Sequence, residues 1–282
     1  MPVDHYENFP VASFLLPPRL RWPIEVIYRF ARSADDIADE GDLSDDQRLS
    51  GLDRYLQELD GVERGAPGNT TLFVDVARVI AEHHLPIGLF RDLIDAFKQD
   101  VVQKRYPDYD TLLDYCRRSA NPVGRLLVHL AGRASPENLR RSDCICSALQ
   151  LINFWQDIAV DWTKGRIYLP QDDLRRFGIE ESAIGEQRCD AHWQRLLDFE
   201  IERTRQLMLT GAPLVHQLPG RMGWEIRLTV QGGLRILERI QQIRGDVFRH
   251  RPQLKAWDWL LMGGRALFMQ QSQTPHPDRN DA

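Results

Sequence analysis

Apolar residues along this chain recur at the three-to-four spacing of helices, and convincing strand alternation is absent. Breakers separate the runs at Pro17-Pro18, between Gly65 and Gly68, and at Pro86, Pro107, Pro136, Pro170 and Pro219. The pattern predicts an all-α bundle of about ten helices. Two polar rows stand out against it. Placed at about 100° per residue, Tyr28, Arg32, Asp35 and Asp39 fall in one stripe about 60° wide. Ile24, Ile27, Ala31, Ala34, Ile37 and Ala38 form the adjoining apolar face. In the second row Gln150, Asn153, Asp157 and Asp161 align on a helix that otherwise carries Leu149, Leu151, Ile152, Phe154, Trp155, Ile158 and Val160.

The two rows differ in what a bland explanation can cover. On the first, Arg32 can pair with Asp35 or Asp36 at helical spacing, which suits a solvated face. The second helix is apolar nearly all round and should be buried. Carboxylates there are costly unless paired or bound to metal, so this row is expected to line a functional cavity. Each row sets two aspartates at i and i+4, roughly 5–6 Å apart. Four carboxylates with few other ligands suit Mg²⁺ shared with substrate phosphates. Beyond the second row, Gly165 and Pro170 mark a helix end that carries Lys164, Arg166 and Tyr168. Cations there would neutralise a departing diphosphate, or merely complement a helix C-terminus. Arg105 and Tyr106, before Pro107, read as a second basic–aromatic step or as a surface loop.

Taken together, Tyr28 to Glu40 and Gln150 to Asp161, followed by Arg166-Ile167-Tyr168-Leu169-Pro170, resemble the two aspartate-rich motifs of the squalene and phytoene synthase family. The resemblance implies a single-domain isoprenoid synthase helical bundle with a central cavity, over residues 1–272. Carried over by position, Asp35, Asp39, Asn153 and Asp157 are metal ligands, with Asp161 supporting them. Ser13, Tyr28, Arg32, Gln150, Arg166 and Tyr168 line the substrate and diphosphate site, with Lys164 beside them. Residues 5–14, 119–124 and Asn153-Phe154-Trp155-Gln156-Asp157 are similar to one bacterial branch, which makes hydroxysqualene from presqualene diphosphate. That implies Mg²⁺ as cofactor, presqualene or farnesyl diphosphate as substrate, and coupling to a presqualene diphosphate synthase and a hydroxysqualene reductase. Two positions depart from the family pattern: Val160 stands where a glutamate is usual and Gln156 where an arginine is. Gly245 falls near a position where some members carry a tyrosine. The rival activity is condensation of two farnesyl diphosphates to presqualene diphosphate or squalene. A helical scaffold that had lost its chemistry would lack ligands, and here all the aspartates are present.

Composition narrows the partners. A net charge of −5 without a basic aromatic stripe excludes a nucleic-acid role. A hydrophobic content of 43% suffices for a core. With no leader-like segment and no apolar run of roughly 18 residues, the expectation is a cytoplasmic protein. The stretch 257–269 reads as a packed terminal helix or as a peripheral contact with the inner face of a membrane. The polar tail 273–282 is expected to be disordered. Four cysteines without CxxC pairing, and scattered histidines, give no disulfide or zinc signature.

Overall fold

A computed structural model describes residues 16–269. Ser13, the opening segment 5–14 and the tail 273–282 lie outside the described residues. Helices account for the architecture, and the described residues form no strand beyond a single parallel bridge between Arg105 and Ile167.

The first half of the chain builds α1 (Pro18–Asp39), α2 (Asp45–Glu63), α3 (Thr71–His83), α4 (Gly88–Val102), α5 (Tyr109–Ser119) and α6 (Asn121–Leu130). Local signals set their ends. Ser44 and Gln47 close a capping box on α2, and Asp108 caps α5. His84 terminates α3 in the left-handed region at φ 51°. The second half holds α7 (Pro136–Gln156), α8 (Ile158–Thr163), α9 (Gln171–Arg176), α10 (Ser182–Gly185) and α11 (Ala191–Gly211). A 3₁₀ turn (Ala212–His216) then leads to α12 (Gly220–Gln242) and α13 (Ala256–Leu267). The three helices beyond the expected ten are α8, α9 and α10, each of six residues or fewer, in the Gly- and Pro-punctuated stretch after the second row.

Helix α7 is the axis of the bundle, packed by α5, α6, α11 and α12. Its buried side chains, including Ala148, Leu151, Ile152, Phe154 and Trp155, explain why it read as apolar almost all round. Trp155 donates to Thr204 Oγ1 at 2.9 Å, which satisfies the indole in the α7–α11 interface. At the far end of that interface Gly211 allows the closest approach. A Cβ there would stand 2.5 Å from the Arg141 carbonyl oxygen and 2.9 Å from the Ile145 backbone nitrogen. Gly211→Ala is therefore expected to destabilise the protein by roughly 1–3 kcal/mol in urea unfolding. A loss below about 0.5 kcal/mol would show that the two helices pack less tightly than this.

Candidate functional site

Helix α1 delivers Tyr28, Arg32, Asp35 and Asp39 as one half-buried stripe above the buried Ile24, Ile27, Ala34 and Ala38. The predicted apolar face is thus the packed one. Ala31 and Ile37 are only partly buried. Arg32 contacts Asp35 at 3.2 Å, Asp36 at 2.8 Å and Glu40 at 2.6 Å, so it answers to both aspartates.

The second row is not carried by one unbroken helix. The chain kinks at Asp157 (φ −109°, ψ 15°), between α7 and α8. The amide of Asp157 still donates to the Asn153 carbonyl, and that of Asp161 to the Asp157 carbonyl, both at 2.9 Å. Helical spacing therefore survives the kink, and Gln150, Asn153, Asp157 and Asp161 remain in register, all half-buried.

Cations join the rows. Arg166 grips both carboxylate oxygens of Asp39, one at 2.9 Å, and Lys164 reaches the same carboxylate at 3.2 Å. Arg166 is itself anchored, since its amide donates to the Asp161 carbonyl at 2.9 Å. Burial alone would raise the Asp39 carboxyl, but Arg166 and then Lys164 outweigh it and hold the group at about 2. Asp161 goes the other way. Burial first, then the charges of Asp157 and Asp39, push its carboxyl up to about 7 against the opposing pull of Arg166 and Lys164.

Several contributors are not legible from motif spacing. Arg251 donates to the two oxygens of Asp157 at 2.6 and 3.0 Å from the loop before α13. Gln156, at the family's arginine position, is buried and donates to the Pro252 carbonyl, tying down the segment that presents Arg251. Asp100, buried on α4, accepts from the Tyr115 hydroxyl at 2.6 Å and the Tyr168 hydroxyl at 3.4 Å. Its backbone carbonyl accepts from Arg166 at 3.3 Å. Burial pushes the Asp100 carboxyl up to about 6, although Tyr115 and Arg166 act to lower it. The one signal in the sequence is that Asp100 sits seven residues after Leu93, on the buried face of its helix.

The Arg105–Tyr106 step is an internal brace rather than a surface loop. Tyr106 is fully buried, and Arg105 pairs with Glu181 at 2.8 Å and donates to the Gly165 carbonyl at 2.6 Å. It thereby secures the turn that carries Lys164 and Arg166. Tyr106, Tyr115, Phe154 and Tyr168 form an aromatic stack, with Phe154 and Tyr168 3.8 Å apart and within 7° of parallel. The expected central cavity is consequently narrow. Phe154, Asp161, Arg166 and Tyr168 line a pocket beside Ile158 and Ile184 with only about 10 Å³ of room, about enough for one water. That is smaller than the ~300–1,000 Å³ usual for ligand sites, because the aromatic stack and the Arg166–Asp39 pair fill the space between the rows.

The donor set is chemically suited to a hard cation. Oxygen ligands predominate, and Asp161 is a half-buried carboxylate that its burial and the neighbouring acids Asp157 and Asp39 push up despite Arg166 and Lys164. As the side chains stand, the described residues hold no cluster of three or more His, Cys, Asp or Glu side chains drawn around one point. Basic side chains contact Asp39 and Asp157 instead.

A profile of the squalene/phytoene synthase family matches residues 3–258. Hydroxysqualene synthase of Rhodopseudomonas palustris is 35% identical over 257 residues, covering 90% of this chain and 86% of that protein. The hydroxysqualene synthase of Sinorhizobium fredii is 33% identical over 264 residues, covering 93% and 88%. Among solved structures, squalene synthase HpnC from Alicyclobacillus acidocaldarius superposes with a TM-score of 0.80 at 36% identity, over 85% of this chain and 90% of that one. A ligand-bound dehydrosqualene synthase superposes with a TM-score of 0.83 at 20% identity, over 93% and 91%, which speaks for the fold alone.

Proposed function

This chain belongs to the squalene/phytoene synthase family, and on that premise we propose that it converts presqualene diphosphate and water to hydroxysqualene and diphosphate, in one catalytic domain spanning 1–272. One observation carries the reading: two aspartate rows meet through Arg166 and Lys164 beside an aromatic-lined pocket.

In this reading Asp35 and Asp39 on one side, and Asn153, Asp157 and Asp161 on the other, hold Mg²⁺. When bound, the metal supplies Lewis-acid stabilisation of the leaving diphosphate. Arg32, Lys164, Arg166 and Arg251, which pair with the acids in this structure, are then available to take up diphosphate charge. Tyr28 and Gln150 complete the polar rim, and Ser13, outside the described residues, is assigned to the substrate by the family resemblance alone. The carbon–oxygen bond breaks with its electron pair leaving on the diphosphate, and the cyclopropylcarbinyl cation rearranges. Water adds to it and loses a proton. The stack of Phe154, Tyr168, Tyr115 and Tyr106 shields the cation from bulk solvent while one water is admitted.

The departures at positions 156 and 160 favour this activity over two-step squalene synthesis. Val160 is exposed and cannot carry the charge of the usual glutamate. Gln156 has given up a charge of its own and instead positions Arg251. A site that binds one diphosphate at a time needs fewer charged groups. Neighbouring reactions must then supply presqualene diphosphate and reduce the allylic alcohol.

The test is incubation of pure protein with presqualene diphosphate and Mg²⁺ in ¹⁸O-labelled water without NADPH. Hydroxysqualene carrying ¹⁸O is expected. Unlabelled alcohol would exclude capture of solvent water. Squalene formed only with NADPH, or turnover of farnesyl but not presqualene diphosphate, would replace this reading with the condensing activity.

A further inference from the structure

Away from the aspartate rows, two buried carboxylates share a single cation. Glu200 of α11 is fully shielded from solvent, and Asp173 of α9 is 5% exposed. Arg203 donates from Nε and Nη2 to the two Glu200 oxygens at 2.8 and 2.6 Å. The same Nη2 donates to Asp173 at 2.7 Å. The guanidinium sits over the Tyr109 ring of α5, 3.7 Å from its centroid, and 4.9 Å from that of Phe199. On the α11 side the cluster is fixed: Thr204 Oγ1 donates to the Glu200 carbonyl at 2.7 Å and accepts from Trp155 of α7 at 2.9 Å.

The charges do not balance as drawn. Two ionised carboxylates around one guanidinium leave an excess negative charge where water is excluded. Buried carboxylates persist when they are paired, and one arginine cannot balance both. Two carboxyl groups held on the same nitrogen form an acid dyad, in which like charges are relieved by keeping one proton. Burial pushes the Glu200 carboxyl up to about 8 against the pull of Arg203, with Asp173 adding to the rise. The groups facing the cluster do not supply the missing charge. The Tyr109 hydroxyl, pushed up to about 12 by burial, stays neutral. Trp155 reaches Glu200 through Thr204, and the Arg176 guanidinium lies over Phe199 at 4.6 Å.

We infer that Glu200 and Asp173 hold one proton between them around Arg203, and that this triad positions the segment 166–173, which carries Arg166 and Tyr168 to the candidate site. The positioning half rests on the diphosphate reading of that site, and the shared proton does not. Along the segment the amides of Ile167, Gln171 and Asp172 donate to the carbonyls of Lys104, Tyr106 and Pro107 at 3.0, 2.9 and 3.0 Å. Asp173 follows directly and adds a side-chain tie to α11. Helix α9 has six residues, too few to hold its own shape, whereas α11 has 21. When the proton leaves, repulsion between the carboxylates is therefore relieved on the α9 side, and the segment leading back to Tyr168 and Arg166 loosens. The sign follows from the raised carboxyl. Its contribution to stability is complete below about pH 4.5, declines as pH rises, and is lost above about 8.

Infrared difference spectra of wild type, Glu200→Gln and Asp173→Asn, at about pH 6.5 and about pH 9.5, test the proton without any substrate. A shared proton gives a protonated-carboxyl band at the lower pH that either substitution removes and that wild type loses at the higher pH. Calorimetric titration with Mg²⁺ and inorganic pyrophosphate tests the positioning. Wild type and Glu200→Gln should bind within about twofold of each other at the lower pH, and wild type should be at least about fivefold weaker than the variant at the higher. Should Glu200→Gln fail to fold, Asp173→Asn carries the test: it must lose the band and, without its tie to α11, bind pyrophosphate weakly at both pH values. A band unchanged by both substitutions would overturn the shared proton. A band lost in Glu200→Gln but kept in Asp173→Asn would place the proton on Glu200 alone and overturn the sharing. Parallel weakening of wild type and Glu200→Gln at the higher pH would overturn the positioning role. Pyrophosphate bound by neither protein at the lower pH would remove the diphosphate reading and the positioning role with it, while the spectra still decide the proton.

Discussion

Asp39→Asn lowers turnover of presqualene diphosphate by at least about 10²–10³-fold, and it also destabilises the protein. The second half of that expectation comes from the structure. Read from the sequence alone, Asp35, Asp39 and Asp157 form a crowded acidic site in which any amide should relieve repulsion. Asp39 is instead the partner of Arg166, whose guanidinium is nearly buried, and of Lys164. An amide would leave Arg166 without its counter-charge, at a cost of roughly 1–2 kcal/mol once screening by solvent is allowed for. The pH dependence has a definite sign. The carboxyl lies at about 2 in the folded protein against an ordinary 3.8. Its contribution is therefore complete above about pH 4 and lost as pH falls through about 2. Urea melts of wild type and variant at pH 7 and pH 3, beside Mg²⁺-dependent rates, check both halves. Activity within about tenfold of wild type would remove Asp39 from the site. Equal stability at pH 7 would show that the Arg166 pair contributes nothing in solution.

What the sequence made legible follows from locality. The α1 stripe and the α7–α8 row are visible because helical periodicity projects residues four apart onto one face, and hydrogen bonding through the kink at Asp157 preserved that projection. The kink itself leaves no mark in the pattern. Arg251 lies 94 residues from Asp157, and no spacing rule links a Pro-flanked loop to a helix end at that distance. Asp100 is a lone carboxylate in a polar stretch, and only its register with Leu93 hints at burial. The aromatic stack draws on three separate segments, around Tyr106–Tyr115, Phe154 and Tyr168, so its closing of the cavity depends on tertiary packing. The family resemblance supplied what periodicity cannot, the pairing of the two rows. The Arg105–Tyr106 step shows the reverse case: a stretch that looked like surface is the brace beneath the second motif.

Asp161→Asn is expected to do the opposite of Asp39→Asn, and the pair of variants separates a compensated carboxylate from an uncompensated one. In the folded protein the Asp161 carboxyl is pushed up to about 7, first by burial and then by Asp157 and Asp39. A raised carboxyl binds its proton more tightly folded than unfolded, so stability is greatest below about pH 4 and declines as pH rises to 7. The full penalty is present above that. Without metal, at pH 8, the amide should raise stability by roughly 1–3 kcal/mol, and at pH 4 the gain should vanish. Mg²⁺ inverts the comparison. A cation held by the folded site stabilises wild type by mass action, and the variant, having lost one of the proposed ligands, gains less. Thermal melts of both proteins in chelator and in millimolar Mg²⁺, at pH 4 and pH 8, give eight melting temperatures and so the four differences between wild type and variant that are required. A variant that is no more stable at pH 8 in chelator would show that Asp161 is already neutralised by Arg166 and Lys164. An identical Mg²⁺ response in both proteins would place the metal elsewhere, and with it the case for Asp161 as a ligand would fall.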